Sequence, residues 1–290
     1  MSSVSDFPVP ELAESLFVRA GGGSVRGTSR ERNEDCCVID SHQQYFVIAD
    51  GIGGSAGGEV ASRMACDILD EEIGQLVQAN EFSARSQFAF LVDRKEQIRV
   101  QLLAAMRTAN SAIISERQCS WRQCRMGTTA IAAVVIDEDL YLASIGDSRA
   151  CLVRDGVIQR LTSDHTMTAG LVNAGLLSPE EAATHQYRNV LYKYLGAWPD
   201  RDPADVVSFT IRSGDCLVLA TDGLTDYVTE EEISAVCEHI GDSEQVAREF
   251  VSGGERGSQR EGTTGADSRI VDGGVGYQSL FFDATDSYGG

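Results

Sequence analysis

The chain has 290 residues and a formal net charge of −20, with 44 acidic residues against 24 basic ones. A surface this negative repels nucleic acid and anionic membranes, so we expect neither as a partner. The eight cysteines are scattered and match neither a disulfide framework nor a zinc motif, which fits a reducing cytoplasm. The first ten residues lack a signal-peptide pattern, and no apolar run approaches the roughly 18 residues of a membrane helix. We therefore expect a globular, cytoplasmic protein.

Taken in chain order, the pattern predicts a polar lead-in, then strands and helices in alternating groups. Residues 1–23 end in three glycines, and we expect them to be flexible. Two strands follow, the second of them beginning at Tyr45. Apolar residues at helical spacing then predict long helices from about residue 57 and over about 95–117. Further strands are predicted at 128–136, 140–145, 150–153, 157–161, 190–194, 206–211 and 216–220, and further helices at 166–175, 178–183, 230–239 and 244–250.

The last part of the chain differs in composition from the rest. Residues 253–290 contain ten glycines among 38 residues, which predicts a poorly ordered tail. The chain is thus predicted to hold one domain, residues 24–252, between two flexible ends. Because its strands are mostly linked by hairpins and its helices come in groups, we predict an α+β fold with antiparallel sheets covered by helices.

Three of the apolar runs end close to an aspartate, and two of these aspartates are followed by glycine. They are Asp50, Asp147 and Asp222. If the three strand ends meet at one edge of a sheet, the carboxylates raise one another's pKa unless a cation neutralises them. Oxygen-only ligands suit Mg²⁺ or Mn²⁺. A single Asp-Gly would indicate only a turn, but three such strand ends favour a metal site.

A second candidate group lies shortly before the first of these strands. Arg30 stands four residues before Glu34, and Asp35 follows. The arginine fork is well suited to holding a phosphate group with two hydrogen bonds, and the neighbouring acids could hold water at a metal. Taken alone, this pattern is more commonly a solvated loop of alternating charge.

Six short segments carry the most specific signal, and each has the form of a functional motif. They are Arg26–Asp35, Asp50–Gly54, Met126–Ala130, Ile145–Ala150, Leu161–His165 and Ala220–Leu224. In this order they resemble the motifs of the metal-dependent serine/threonine protein phosphatases (PPM family, type 2C) in their bacterial form. The resemblance runs from about residue 24 to 250. It implies an α-β-β-α sandwich, in which two antiparallel sheets face each other and helices cover the outside.

The resemblance also implies a metal centre. Asp50 would bridge two core ions, Mn²⁺ or Mg²⁺, while Gly51 would bind through its carbonyl oxygen. Asp222 would bind one of the pair, and Asp147 would serve a third, weaker ion. In the family the last ligand is the Asp of an Asp-Asn pair that opens a final apolar strand. This chain offers only Asp267 nearby and no evident strand, so we expect a weakly held metal.

The implied activity is hydrolysis of phosphoserine and phosphothreonine on proteins by a metal-activated water. Glu34 and Asp35 would act on that water, and Arg30 would bind the substrate phosphate. The expected partners are phosphorylated proteins in signalling, together with a serine/threonine kinase and its substrates. Ile52 stands where many members have a histidine, and His165 is expected to order its own turn. The alternative is a catalytically impaired module that binds phosphoproteins without hydrolysing them.

Overall fold

The protein is described here by a computed structural model. It describes residues 16–25, 33–42, 44–52, 56–84, 93–119, 126–198, 203–239 and 277–286. In chain order the elements are β1 (Leu16–Val25), β2 (Asp35–Ile39), β3 (Tyr45–Ile52), α1 (Ala56–Ala84), α2 (Arg94–Cys119), β4 (Gly127–Thr128), β5 (Ala130–Ile136), β6 (Asp139–Ile145), β7 (Arg149–Arg154), β8 (Val157–Arg160), α3 (Met167–Asn173), α4 (Pro179–Ala183), β9 (Asp205–Thr210), β10 (Cys216–Ala220), α5 (Asp222–Thr225), α6 (Glu230–His239) and β11 (Tyr277–Asp286).

The strands form two antiparallel sheets. One has the order β2-β3-β5-β6-β9, with β4 paired to β3, and the other has the order β1-β11-β10-β7-β8. The predicted hairpin between β7 and β8 turns at Asp155 and Gly156, whose φ angles are 51° and 74°. Two consecutive positive φ angles match the twist of a two-residue hairpin, so this local signal set the register of the two strands.

Strand β3 shows how the layers are built, because its side chains alternate between two apolar environments. Tyr45, Val47 and Ala49 pack with α1 and α2 in one buried cluster. Phe46 and Ile48 point the other way, into a cluster shared with the five-stranded sheet. A third cluster joins the outer face of that sheet to α5 and α6. The layer order is helix, sheet, sheet, helix, which confirms the predicted fold.

Two strands lie where the sequence predicts no regular structure. Strand β1 falls mostly within the predicted lead-in of residues 1–23, and β11 falls within the predicted tail of residues 253–290. The expectation that no final strand exists is therefore wrong. Strand β11 lies between β1 and β10 and pairs with both of them. Cross-strand hydrogen bonds stabilise it, and local composition does not report such bonds.

A smaller difference concerns the middle of the chain. The predicted strand at 190–194 is replaced by isolated bridges, which join Leu191 to Thr166 and Leu195 to Thr128. Helix α1 begins at Ala56, close to the predicted start at about residue 57, and continues to Ala84. The helix predicted at 244–250 lies outside the described residues. Among the helices that are described, none combines the length and apolar character needed to cross a bilayer.

Candidate metal centre

The predicted carboxylates lie at strand ends that converge. Asp50 is near the end of β3, and Asp35 is its direct backbone partner at the start of β2. Asp222 follows β10 as the first residue of α5, and its carboxylate lies close enough to Asp50 to raise the pKa of Asp50. Thr221 Oγ1 donates to Asp35 Oδ2 at 3.4 Å, which links the two sheets. The structure therefore brings these strand ends together, but from both sheets, whereas the prediction assumed one edge of a single sheet.

Electrostatics within this group is unfavourable without a cation. Loss of hydration raises the pKa of Asp50 well above its usual value, and the charges of Asp35, Asp222 and Asp147 raise it further. The pKa of Asp147 is raised to about 8, again first by loss of hydration and then by Asp222 and Asp164. A bound divalent cation would relieve this repulsion.

The fit to a metal rests on this donor chemistry. All four carboxylates are partly exposed, so an ion can reach them. Among the described residues, no group of three or more His, Cys, Asp or Glu side chains is already arranged so that it could hold a metal ion. Carboxylate oxygens that repel one another at a solvent-accessible strand end suit Mg²⁺ or Mn²⁺, because these ions prefer oxygen ligands.

The backbone of Asp50 is held by the threonines of the third motif. Its N–H donates to Thr129 Oγ1 at 3.0 Å, and its carbonyl oxygen accepts from Thr129 N at 2.8 Å. The same oxygen accepts from Thr128 Oγ1 at 2.8 Å. Thr129 Oγ1 also lies 2.8 Å from Ser148 Oγ, next to Asp147. These buried hydroxyls therefore tie two of the predicted ligand positions together, a role that the sequence did not indicate.

Gly51 lies where three segments come close together. Its N–H donates to the carbonyl oxygen of Glu34 at 3.1 Å, and Ser62 Oγ in α1 donates to the same oxygen. The Glu34 side chain is buried, and its carboxyl carbon lies 3.1 Å from the place that a Cβ at Gly58 would occupy. Glu34 thus sits at the first turn of α1, where the helix dipole favours a negative charge.

His165 holds the turn that carries Asp147. Its ring Nδ1 accepts a hydrogen bond from the backbone N–H of Gly146 at 3.0 Å. The backbone N–H of His165 donates to the Gly146 carbonyl oxygen at 2.9 Å. Since Nδ1 accepts, the ring proton is on Nε2 and is donated to Asp205 Oδ2 at 3.0 Å. Lys193 Nζ donates to Asp205 Oδ1 at 2.6 Å. The hydrogen bond from His165 is the largest cause that lowers the pKa of Asp205.

We expect His165→Ala to lower the free energy of unfolding by about 1–3 kcal/mol, since it leaves the buried Gly146 N–H without its acceptor. We also expect weaker Mn²⁺ binding, measured by calorimetry, because the Asp147 turn is no longer held. His165→Asn places an amide oxygen close to the position of Nδ1 and should recover most of both losses. Equal losses in the two variants would show that the bond to Gly146 does not position Asp147.

Asp164, in the same motif as His165, is already paired. Arg149 Nη2 donates to its Oδ2 at 2.9 Å, and Arg160 donates to its Oδ1. A carboxylate held by two guanidinium groups is a poor metal ligand, so Asp164 is a structural acid beside the centre. The predicted residues Arg30 and Asp267 lie outside the described residues. Ile52 ends β3 and pairs with Gly127.

Comparison with known proteins places these features together in one family of enzymes. The protein phosphatase 2C family model matches residues 23–252. The serine/threonine phosphatase stp of Listeria monocytogenes is 30% identical over 217 residues, which are 73% of this chain and 79% of that protein. The crystal structure of the Mycobacterium tuberculosis serine/threonine phosphatase PstP/Ppp has a TM-score of 0.74 at 27% identity and covers 93% of this chain and 99% of its own.

A second structure adds metal ions to this comparison. It is the catalytic domain of the serine/threonine protein phosphatase PstP in complex with two manganese ions. Its TM-score is 0.71 at 28% identity, and it covers 94% of this chain and all of its own. The similarity thus extends over nearly the whole fold.

Proposed function

Since the chain belongs to the protein phosphatase 2C family of metal-dependent serine/threonine phosphatases, we propose that it hydrolyses phosphoserine and phosphothreonine at the centre formed around Asp50. The observation that carries this proposal is the convergence of the Asp50 and Asp222 carboxylates, with Asp35 and Asp147 close enough to raise the pKa of Asp50. The comparisons do not favour the alternative, a catalytically impaired module that only binds phosphoproteins.

The proposed cofactors are two core ions, Mn²⁺ or Mg²⁺, with a weaker third. Asp50, the carbonyl oxygen of Gly51 and Asp222 would hold the core pair, and Asp147 would serve the third ion. When bound, the ions would lower the pKa of a water molecule and neutralise charge that develops on the phosphoryl oxygens. The related PstP catalytic domain has been crystallised with two manganese ions. That finding supports the choice of metal.

The chain's own side chains would orient the reactants. Asp35, held by Thr221, and Glu34, buried at the first turn of α1, would accept hydrogen bonds from the attacking water and position it. Arg30 would bind the phosphate group of the substrate with its guanidinium fork. We propose that Asp267 adds little to the site. Strand β11 begins only at Tyr277, so Asp267 does not directly precede it as the family pattern requires.

The substrates would be cytoplasmic proteins that a serine/threonine kinase has phosphorylated as part of signalling. The excess of acidic residues makes a local cation necessary wherever a phosphate group is to bind. Bound divalent ions would reverse the sign of the potential at the site while the rest of the surface stays negative. Substrate recognition would therefore depend on the metal.

The test is steady-state hydrolysis of a phosphothreonine peptide by the full chain, with and without Mn²⁺. We expect phosphate release that requires added metal and is lost when a chelator is in excess. Circular dichroism in chelator should show a folded protein, which excludes unfolding as the reason for the loss. Undiminished hydrolysis in excess chelator would contradict a metal mechanism. Tight peptide binding without turnover would assign the chain to the impaired alternative.

A further inference from the structure

Two cysteine side chains outside the metal centre lie in contact. Cys216 Sγ and Cys237 Sγ are 3.2 Å apart, although the two residues are 21 positions apart in sequence. Neither sulfur atom belongs to a disulfide in this structure. A disulfide needs its sulfur atoms at about 2.05 Å, so these two sulfur atoms are only about 1 Å farther apart than bonded ones.

The two thiols are held by separately anchored elements. Cys216 is the first residue of β10, where its backbone pairs with β7 on one side and with β11 on the other. Cys237 is in α6, which Ser234 Oγ fixes by donating to the Gly156 carbonyl oxygen at 3.0 Å. The start of α6 is closed by a capping box between Thr229 and Glu232. Their proximity therefore follows from the packing of α6 on the sheet.

The surroundings leave this pair open to small reagents. Cys216 and Cys237 are both partly exposed at the edge of the cluster between the five-stranded sheet and α6. Cys151 belongs to the same cluster but is buried, and burial raises its pKa to about 11. Because the thiolate is the reactive form, Cys151 should stay reduced under conditions that oxidise its two neighbours.

We propose that Cys216 and Cys237 are a redox modification site that takes up a hydroperoxide as oxidant and forms a reversible disulfide. One thiolate attacks a peroxide oxygen, the O–O bond breaks, and a sulfenic acid and water (or an alcohol) are produced. The second sulfur then attacks the sulfenic sulfur and expels water. In total, the two thiols lose two electrons and two protons, and the peroxide is reduced. A dithiol reductant reverses the change by thiol–disulfide exchange.

The disulfide would close a loop that contains all of α5, including Asp222, and most of α6. It would fasten α6 to β10 and limit the freedom of this loop in the unfolded chain. Disulfides that close loops of this size stabilise proteins chiefly through that restriction. The inference goes beyond the proposed phosphatase activity and does not depend on it, because both sulfur atoms are part of the packing behind the sheet.

The experiment treats the full chain with hydrogen peroxide in the presence of a chelator and then maps linkages by mass spectrometry after non-reducing digestion. We expect one linked peptide pair that joins Cys216 to Cys237 and separates in dithiothreitol. The melting temperature should rise by roughly 5–10 °C on oxidation and return on reduction. Cys237→Ser should show neither effect. Cys119→Ser, which removes an exposed thiol at the end of α2, should show both.

Three results would overturn the proposal. One is a link between Cys36 and Cys66, whose side chains also hydrogen-bond, with Cys216 and Cys237 left reduced. Another is an intermolecular disulfide in place of the internal one, and the third is higher oxidation of Cys216 without any link. Because linkage mapping on the unaltered chain decides among these results, the proposal remains testable even if Cys237→Ser fails to fold.

Discussion

Asp50→Asn is expected to lower phosphate release by roughly a thousandfold and, in the same protein, to raise the stability of the metal-free fold. The activity falls because Asp50 is the proposed bridge between both core ions. The stability rises because the substitution removes one charge from a group whose members oppose one another's ionisation. Melting in chelator should shift upward by roughly 2–8 °C, which corresponds to 1–2 kcal/mol in a protein of this size.

Asp215→Asn is the matched control, and we expect it to change the stability of the fold in the opposite direction. Asp215 is also a buried carboxylate, but it has a cation partner, because Arg154 donates to it through Nε at 2.7 Å and through Nη2 at 2.5 Å. Its loss should lower the free energy of unfolding by about 3 kcal/mol and leave the metal dependence of activity unchanged. Asp147→Asn should reduce activity less than Asp50→Asn, since Asp147 is proposed to serve only the weaker ion. The reverse order would contradict the assignment of Asp50 as the bridge.

The pH dependence of the stability of the metal-free protein tests the same repulsion between carboxylates. The ordinary pKa of an aspartate is 3.8, whereas the pKa of Asp147 in the folded chain is about 8. Between these values the unfolded chain has released the proton while the folded chain retains it, so a rising pH favours unfolding. The melting temperature in chelator should therefore fall from pH 4 to pH 8, and saturating Mn²⁺ should remove most of that fall. A melting temperature that rises over this range would contradict the repulsion.

The strands that carry the candidate metal centre could be predicted because each has a strong local signal. The runs that end at Asp50 and Asp222 are apolar, short and closed by Asp-Gly, which marks the point where a buried strand reaches solvent. The convergence of these ends was not local information, because the two strands belong to different sheets. The grouping of hairpins and helices was also local information and predicted antiparallel sheets covered by helices, whereas the layer order was expected from the resemblance to a known family.

Strands β1 and β11 could not be predicted in this way. They pair with each other from Leu16 with Asp286 to Val25 with Tyr277, so the two ends of the chain stabilise one another. Gly21, Gly22 and Gly23 reduce the preference of β1 for extended structure. Strand β11 contains no glycine, but the many glycines in the residues before it obscured its signal, and both strands depend on a partner strand for their hydrogen bonds. A pattern confined to a short window contains no information about that partner.

The polar contacts around the centre escaped prediction for the same reason. Thr129 lies 79 positions from Asp50, whose N–H it accepts, and Asp205 lies 40 positions from His165. The motifs showed that such residues were present, but not which backbone group each one would hold. His165 is a further example. It was expected to order its own turn, whereas its two hydrogen bonds reach Gly146 in the turn that carries Asp147.

The other large effect is expected for Gly51→Ala, which should prevent the end of β3 from approaching α1. A Cβ at this position would lie 2.3 Å from the carbonyl oxygen of Gly58 and 2.8 Å from that of Glu34. Both are backbone atoms, so neither can move aside by changing a rotamer. Relief requires that α1 or the start of β2 shift, and overpacking of this kind costs about 3 kcal/mol or more of folding free energy.

That shift would also displace the groups proposed to act in hydrolysis. Glu34 would lose its hydrogen bond from the Gly51 N–H, and the Gly51 carbonyl would turn away from Asp50. We therefore expect both a lower melting temperature and a loss of phosphatase activity that high Mn²⁺ does not restore. Gly170→Ala is the control, because its Cβ would meet only a Tyr192 ring atom at 3.8 Å, an ordinary contact. It should stabilise α3 by about 0.5–1 kcal/mol. If Gly51→Ala were equally neutral, the close approach of β3 to α1 would not be needed for the site.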